Sequence, residues 1–150
     1  MKTTLTYYGH ATFMLTHGDV SMVFDPFFTG NTWDKAKPED ITCQYIFVSH
    51  GHGDHYGDAE EIGKANDALL ISTAEIANKA AEAGLRTHAM HLGGKYDFEF
   101  GSVRIVPAFH GAGIPGGHAC GCIVDFYGTT LYFAGDTALF GDMKLLNRFG

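Results

Sequence analysis

The stretch His50-Gly51-His52-Gly53-Asp54-His55 packs three imidazoles and a carboxylate into six residues. Imidazole nitrogen and carboxylate oxygen are the usual donors to a borderline divalent cation such as zinc. His50 and His52 stand two apart and can point the same way from extended chain, with Asp54 and His55 following at once. The two intervening glycines are expected to let the backbone turn tightly enough for four donors to converge. Two further candidates lie downstream. His110 follows the apolar run 103–109, and Asp136 follows 131–134 through Gly135, just as His50 follows the run 45–48 through Ser49. A single histidine at a strand end is more often structural. Three strand ends that each deliver a ligand type point instead to one rim on which loops meet.

The elements that must position these residues are short. Residues 3–8, 11–16 and 20–24 read as strands separated by Gly-containing turns. After Asp25-Pro26 comes a polar stretch with Gly30, Asn31 and Pro38, expected to be irregular. Residues 45–48 form a continuous apolar run, the pattern of a strand buried on both faces. Asp58 is expected to cap a helix over 58–66, and Thr73 a second, Ala-rich helix that stops at Gly84, with a short strand at 69–71 between them. Strand-like runs follow at 87–91, 96–100, 103–109, 121–127 and 129–134. Helices and hairpins alternate, so an α/β domain with mixed sheet pairing is expected, without internal repeat.

Composition narrows the function. The 150 residues fit one domain, and 45% hydrophobic content with twelve Phe and seven Tyr is enough for a packed core. A formal charge of -7 without a Lys/Arg block argues against a nucleic-acid partner. It leaves an anionic substrate open, because bound cations reverse the local field. Three cysteines, Cys43, Cys120 and Cys122, make no disulfide framework and favour a reducing compartment. Cys120 and Cys122 are read as small buried side chains on one strand face. No run reaches membrane-spanning length and no secretory cleavage pattern is present, so a cytoplasmic location without a membrane partner is expected.

The HGHGDH stretch, His110 and Gly135-Asp136-Thr137 resemble the metal motifs of the metallo-β-lactamase superfamily. Tyr8-Gly9-His10-Ala11-Thr12-Phe13, Asp25-Pro26-Phe27 and residues 135–143 narrow the likeness to metal-dependent hydrolases grouped with ascorbate-6-phosphate lactonase. The resemblance implies an αββα sandwich of two similar halves. It implies that His50, His52 and His110 bind a first metal, that Asp54 and His55 bind a second, and that Asp136 bridges them. Zinc is the expected metal at both positions, with manganese the alternative. Asp25 resembles a buried acid that hydrogen-bonds the metal loop. His10 and His118 are candidates for substrate contact, with turn capping and plain surface exposure as their respective alternatives. His17, His88 and His91 are read as surface or structural, and Phe27, Phe28 and Trp33 as core rather than site.

The family pattern includes a later histidine ligand that has no counterpart before Gly150. The expectation is therefore a domain 1–150 that holds the N-terminal half and the start of the second. A further C-terminal segment or a second chain, including another copy, would cover the apolar face of 121–134 and supply that ligand. The chemistry expected is hydrolysis: paired divalent cations lower the pKa of a shared water to about 7, and the hydroxide attacks a small ester, lactone or phosphodiester. Asp54 and Asp136 would orient it and accept protons. A non-catalytic metal-binding or regulatory domain of the same fold is the alternative. A di-iron redox site is disfavoured because His52 stands where such sites carry a carboxylate. On this reading the six ligands, spread from residue 50 to 136, converge on one site.

Overall fold

The computed structural model describes residues 1–149. Two sheets lie face to face. The first has six strands in sequence order: β1 (Thr3–Tyr7), β2 (Phe13–His17), β3 (Val20–Phe24), β4 (Tyr45–Phe47), β5 (Leu69–Thr73) and β6 (Arg86–Met90). β1 to β3 are an antiparallel meander, and β3 to β6 run parallel. The second sheet is antiparallel, in the order β10 (Thr129–Phe133), β9 (Cys120–Phe126), β8 (Gly101–Pro107), β7 (Lys95–Phe98). The mixed pairing expected from the alternation of hairpins and helices is what forms.

Alternation along the strands divides the apolar residues between two cores. Met22, Phe24, Phe47 and Ile71 face the second sheet and meet Val103, Ile105, Cys120, Cys122, Val124 and Phe126. Val23, Ile46, Val48 and Leu70 point the other way, under α2 (Ala59–Asn66) and α3 (Ala74–Glu82), where Ile62, Ile76 and Ala80 close the layer. β4 is thus covered on both sides, as its unbroken apolar run requires. The outer face of the second sheet carries a 3-10 segment, Gly141–Phe149, whose Leu146 and Met143 lie over Ile123 and Tyr132. All three thiols are buried and free, and burial pushes that of Cys43 up to about 12. No helix among the described residues is long and apolar enough to cross a membrane.

Local details depart from the sequence expectations in instructive ways. Asp58 precedes α2 but makes no side-chain cap; its Oδ2 accepts from the backbone N–H of Phe28 (2.7 Å) and Thr29 (2.9 Å). The carboxylate fastens the 26–29 loop because those donors are nearer than the helix's own. Thr73 also makes no cap, and its hydroxyl is buried without a partner. The polar loop contains a 3-10 turn at Pro38–Asp40. Phe28 is core, but Trp33 is 73% exposed, so for Trp33 the expectation fails. Within the ligand stretch a short helix forms, α1 (Gly53–Tyr56).

That helix changes the part played by the glycines. A Cβ at Gly51 would lie 2.7 Å from the Gly113 carbonyl oxygen, whereas one at Gly53 would meet nothing within 4 Å. Only Gly51 is needed for close approach. Gly51→Ala should cost about 1–3 kcal/mol through overpacking, and a domain of this size loses roughly 2–4 °C of Tm per kcal/mol. Gly53→Ala, at a helical position, should leave Tm unchanged or raise it. Thermal unfolding of the two variants checks the difference.

Candidate metal centre

Each ligand loop is held by backbone contacts between the sheets. The Ser49 carbonyl accepts from Cys120 N at the start of β9 (3.0 Å), and Gly51 N donates to the Ala112 carbonyl (2.8 Å). Thr137 Oγ1 accepts from Phe109 N (3.0 Å), and Ala138 N donates to the Phe109 carbonyl (3.1 Å). The loop after β4, the loop after β8 and the loop after β10 are thereby laced into one rim. Gly135 permits the last of these: its φ is +59°, and a Cβ there would sit 2.7 Å from that of Ser49.

On this rim the six expected ligands come together. His50 Nε2 lies 3.0 Å from His52 Nδ1, and His50, His52 and His110 offer nitrogen atoms all within 4.8 Å of one another. Asp136 Oδ2 stands 3.2 Å from His55 Nε2 and 3.4 Å from His110 Nε2, between the two groups. Asp54 Oδ2 is 3.9 Å from His55 Nε2. His10 joins them, with Nε2 3.3 Å from His55 Nε2 and 3.0 Å from Asp54 Oδ2. His118 is exposed and belongs to none of these groups. His17 stacks on Tyr127 and His88 on Tyr96, away from the site.

Beneath the ligands lies Asp25, fully buried at the end of β3 in a left-handed conformation (φ 42°). Its Oδ1 accepts from Ser49 N (2.7 Å), and its Oδ2 accepts from Ser49 Oγ (2.6 Å) and from His55 Nδ1 (2.7 Å). Because Ser49 Oγ has given its proton to Asp25, it accepts from His50 Nδ1 at 2.8 Å. Both buried imidazoles are therefore protonated on Nδ1 and turn an Nε2 lone pair toward the rim, the tautomer that a metal ligand needs. Asp25 was expected from its resemblance to the family's buried acid. Ser49, which carries that control to His50, was missed; its placement between an apolar strand and the first histidine was the available signal.

Charge follows the same layout. Burial, with the neighbouring His55 and His52 rings, pushes the His50 imidazole down to about 4, which leaves it neutral at pH 7. Burial also opposes protonation of His55, but the hydrogen bond and charge of Asp25, with Asp136 and Asp54, outweigh it and raise its pKa. Burial pushes the Asp25 carboxyl above its ordinary range, opposed by His55 and Ser49. For Asp54 burial is overcome by its own backbone N–H and by His55 and His10, and the carboxyl is held low. Imidazole nitrogens and carboxylate oxygens brought this close together are the donors that a divalent cation takes. The donor set fits divalent metal.

A two-sheet fold with ligand-type residues gathered on one rim is that of the metallo-beta-lactamase superfamily. The family model for the metallo-beta-lactamase superfamily matches residues 5–149, and the chain belongs to that superfamily. It is 52% identical over 144 residues to a UPF0173 metal-dependent hydrolase of Natranaerobius thermophilus, covering 96% of this chain and 65% of the relative. It is 42% identical over 153 residues to the UPF0173 metal-dependent hydrolase YtkL of Bacillus subtilis, covering 96% of this chain and 67% of that one. Among solved structures, Igni18, a metallo hydrolase from Ignicoccus hospitalis, superposes with a TM-score of 0.88 at 30% identity, covering 97% of this chain and 66% of that one. The chain thus spans about 65% of the length of the first of these relatives.

If Asp25 fixes the tautomers, Asp25→Asn should weaken divalent-metal binding about 10–100-fold, the usual effect of losing such a partner. Ser49→Ala should give a smaller loss, because only His50 is released. Calorimetric titration of zinc into the chelator-stripped protein measures both.

Proposed function

We propose that the chain forms the metal-binding floor of a hydrolase that cleaves a small, anionic ester, lactone or phosphodiester. The observation that carries this reading is the sharing of Asp136 between two ligand groups, His50/His52/His110 on one side and Asp54/His55 on the other. One carboxylate lying between two groups of imidazole and carboxylate donors suits two neighbouring cations, zinc in the first instance and manganese as the alternative. Such a pair supplies an activated water and a Lewis acid at neutral pH. His50 and His55 are held by Asp25 and Ser49 and so bind without rearrangement. Asp54 and Asp136, each with a carboxylate oxygen among the imidazoles, orient the attacking water and take up its proton.

The substrate side is a cleft of about 440 Å³ between the edges of the two sheets, with His10 and Asp136 at one end and Leu5, Phe13, Leu131 and Phe133 along its walls. A polar end with apolar walls suits a small molecule whose anionic group reaches the cations. β10 is an edge strand at this cleft. Further polypeptide, of the kind by which the relatives exceed this chain in length, would roof it. A cytoplasmic setting agrees with the free thiols.

Metal analysis combined with a panel of lactones and phosphodiesters tests the reading. Two equivalents of zinc or manganese per chain are expected, and His52→Ala should lose about one. Hydrolysis should fall at least 100-fold on chelation and return with added metal. Metal should also be released on acidification, because protonated rings cannot ligate. Protein that binds no divalent metal overturns the reading. Metal uptake with no turnover of any panel member would replace it with a metal-binding domain of the same fold.

A further inference from the structure

We propose that His10 is a fourth protein ligand of the second cation, completing a set with Asp54, His55 and the shared Asp136; this rests on the dinuclear reading above. The donor atoms are spaced for it. Four ligands held tetrahedrally at about 2.0–2.1 Å from zinc lie roughly 3.3 Å from one another. His10 Nε2 stands 3.3 Å from His55 Nε2 and 3.0 Å from Asp54 Oδ2, and Asp54 Oδ2 stands 3.9 Å from His55 Nε2. With Asp136 Oδ2 3.2 Å from His55 Nε2, four donor atoms, that Nε2 included, gather at the rim-facing edge of the ring.

The hydrogen bonding leads to the same place: His55 Nδ1 is taken up by Asp25, so its Nε2 is the ring atom left to face Asp54, Asp136 and the Nε2 of His10.

The fold also builds His10 into place. The turn that carries it is closed by Thr12 N on the Gly9 carbonyl (3.0 Å) and Tyr8 N on the Thr12 carbonyl (2.9 Å). Thr12 Oγ1 donates to the carbonyl of Asp25 (2.7 Å), which ties the turn to the residue that orients His55. Tyr7 Oη donates to the His10 carbonyl (3.0 Å), and the Phe27 ring packs edge-on against the imidazole. His10 itself adopts φ +54°, a conformation uncommon for a residue with a Cβ. An exposed turn with no demand on its side chain would carry Gly or Asn there.

The test uses the whole chain, stripped with chelator and titrated with Co²⁺, whose visible absorption reports ligand number and geometry. His10→Asn is the main variant, because Asn tolerates the left-handed backbone and keeps the turn. The wild type should take up two equivalents. His10→Asn should bind one equivalent with unchanged affinity and the other at least 10-fold more weakly, with loss of part of the tetrahedral absorption. His10→Gly should show the same loss, reversed in part by millimolar imidazole. Two equivalents of unchanged affinity and spectrum in both variants would overturn the proposal and leave His10 facing substrate. A wild type that takes up one cation or none would overturn the dinuclear reading itself, so the two failures are distinguishable.

Discussion

A single carboxylate under the rim decides what the rest of the site can be. Asp25 is removed from water entirely, and an ionised carboxylate there is costly unless hydrogen bonds compensate it. Its partners are two donors of Ser49 and one of His55. All three belong to the segment that follows β4, so satisfying the acid and folding the ligand loop are the same event. Its backbone is spent in the same way: Asp25 N donates to the Phe47 carbonyl, and its carbonyl accepts from Thr12. The end of β3, the loop after β4 and the turn before β2 are thus locked together around one buried charge.

Convergence of ligands from distant segments follows from packing rather than from local sequence. The face-to-face sheets share one core, and their loops on the rim must fit between one another with little clearance. Gly113 shows how little. It has φ +65°, and a Cβ there would sit 2.3 Å from His52 N. A Cβ at Gly121 would likewise sit only 2.6 Å from the Phe133 carbonyl oxygen. Where side chains are absent, backbone amides of one loop reach carbonyls of the next, and the ligand positions inherit the rigidity of both sheets.

This division explains what was legible in the sequence. The strands and the two longer helices were readable to within a residue or two, because period-2 alternation and unbroken apolar runs report burial directly, as at 20–24 and 45–48, whereas the short helix 53–56 and the 3-10 segment 141–149 were not. The six candidate ligands stood out because their types are unusual and their loops each follow such a run. Side-chain partners that depend on another segment were not. Asp58 has the type and position of a helix cap, yet Phe28 and Thr29 claim it; nothing near Asp58 in sequence announces them. Thr73 fails as a cap for want of a reachable amide. Ser49 relays hydrogen bonding between Asp25 and His50, twenty-four residues away and next door respectively, so only the fold brings its partners together. Trp33 is an aromatic in a polar loop, and its exposure follows from the loop's path rather than from its own hydrophobicity.

Burial across the site is graded, and the grading has a consequence. His50 and His55 are wholly buried, one from each ligand group, whereas Asp54, His110, Asp136 and His10 keep between 36% and 47% of their side chains exposed. The buried pair has its rotamers and tautomers set in advance by Asp25 and Ser49, so little entropy or hydrogen bonding is lost when a cation arrives. The exposed members keep access to water, and an ion can shed its hydration shell onto them one ligand at a time. A site in which every ligand was buried would be equally preorganised but closed, and one with every ligand exposed would be open but would pay ordering entropy at each contact. A rigid floor with a wet mouth resolves that conflict, and two of its exposed members, His10 and Asp136, lie where the cleft between the sheets begins.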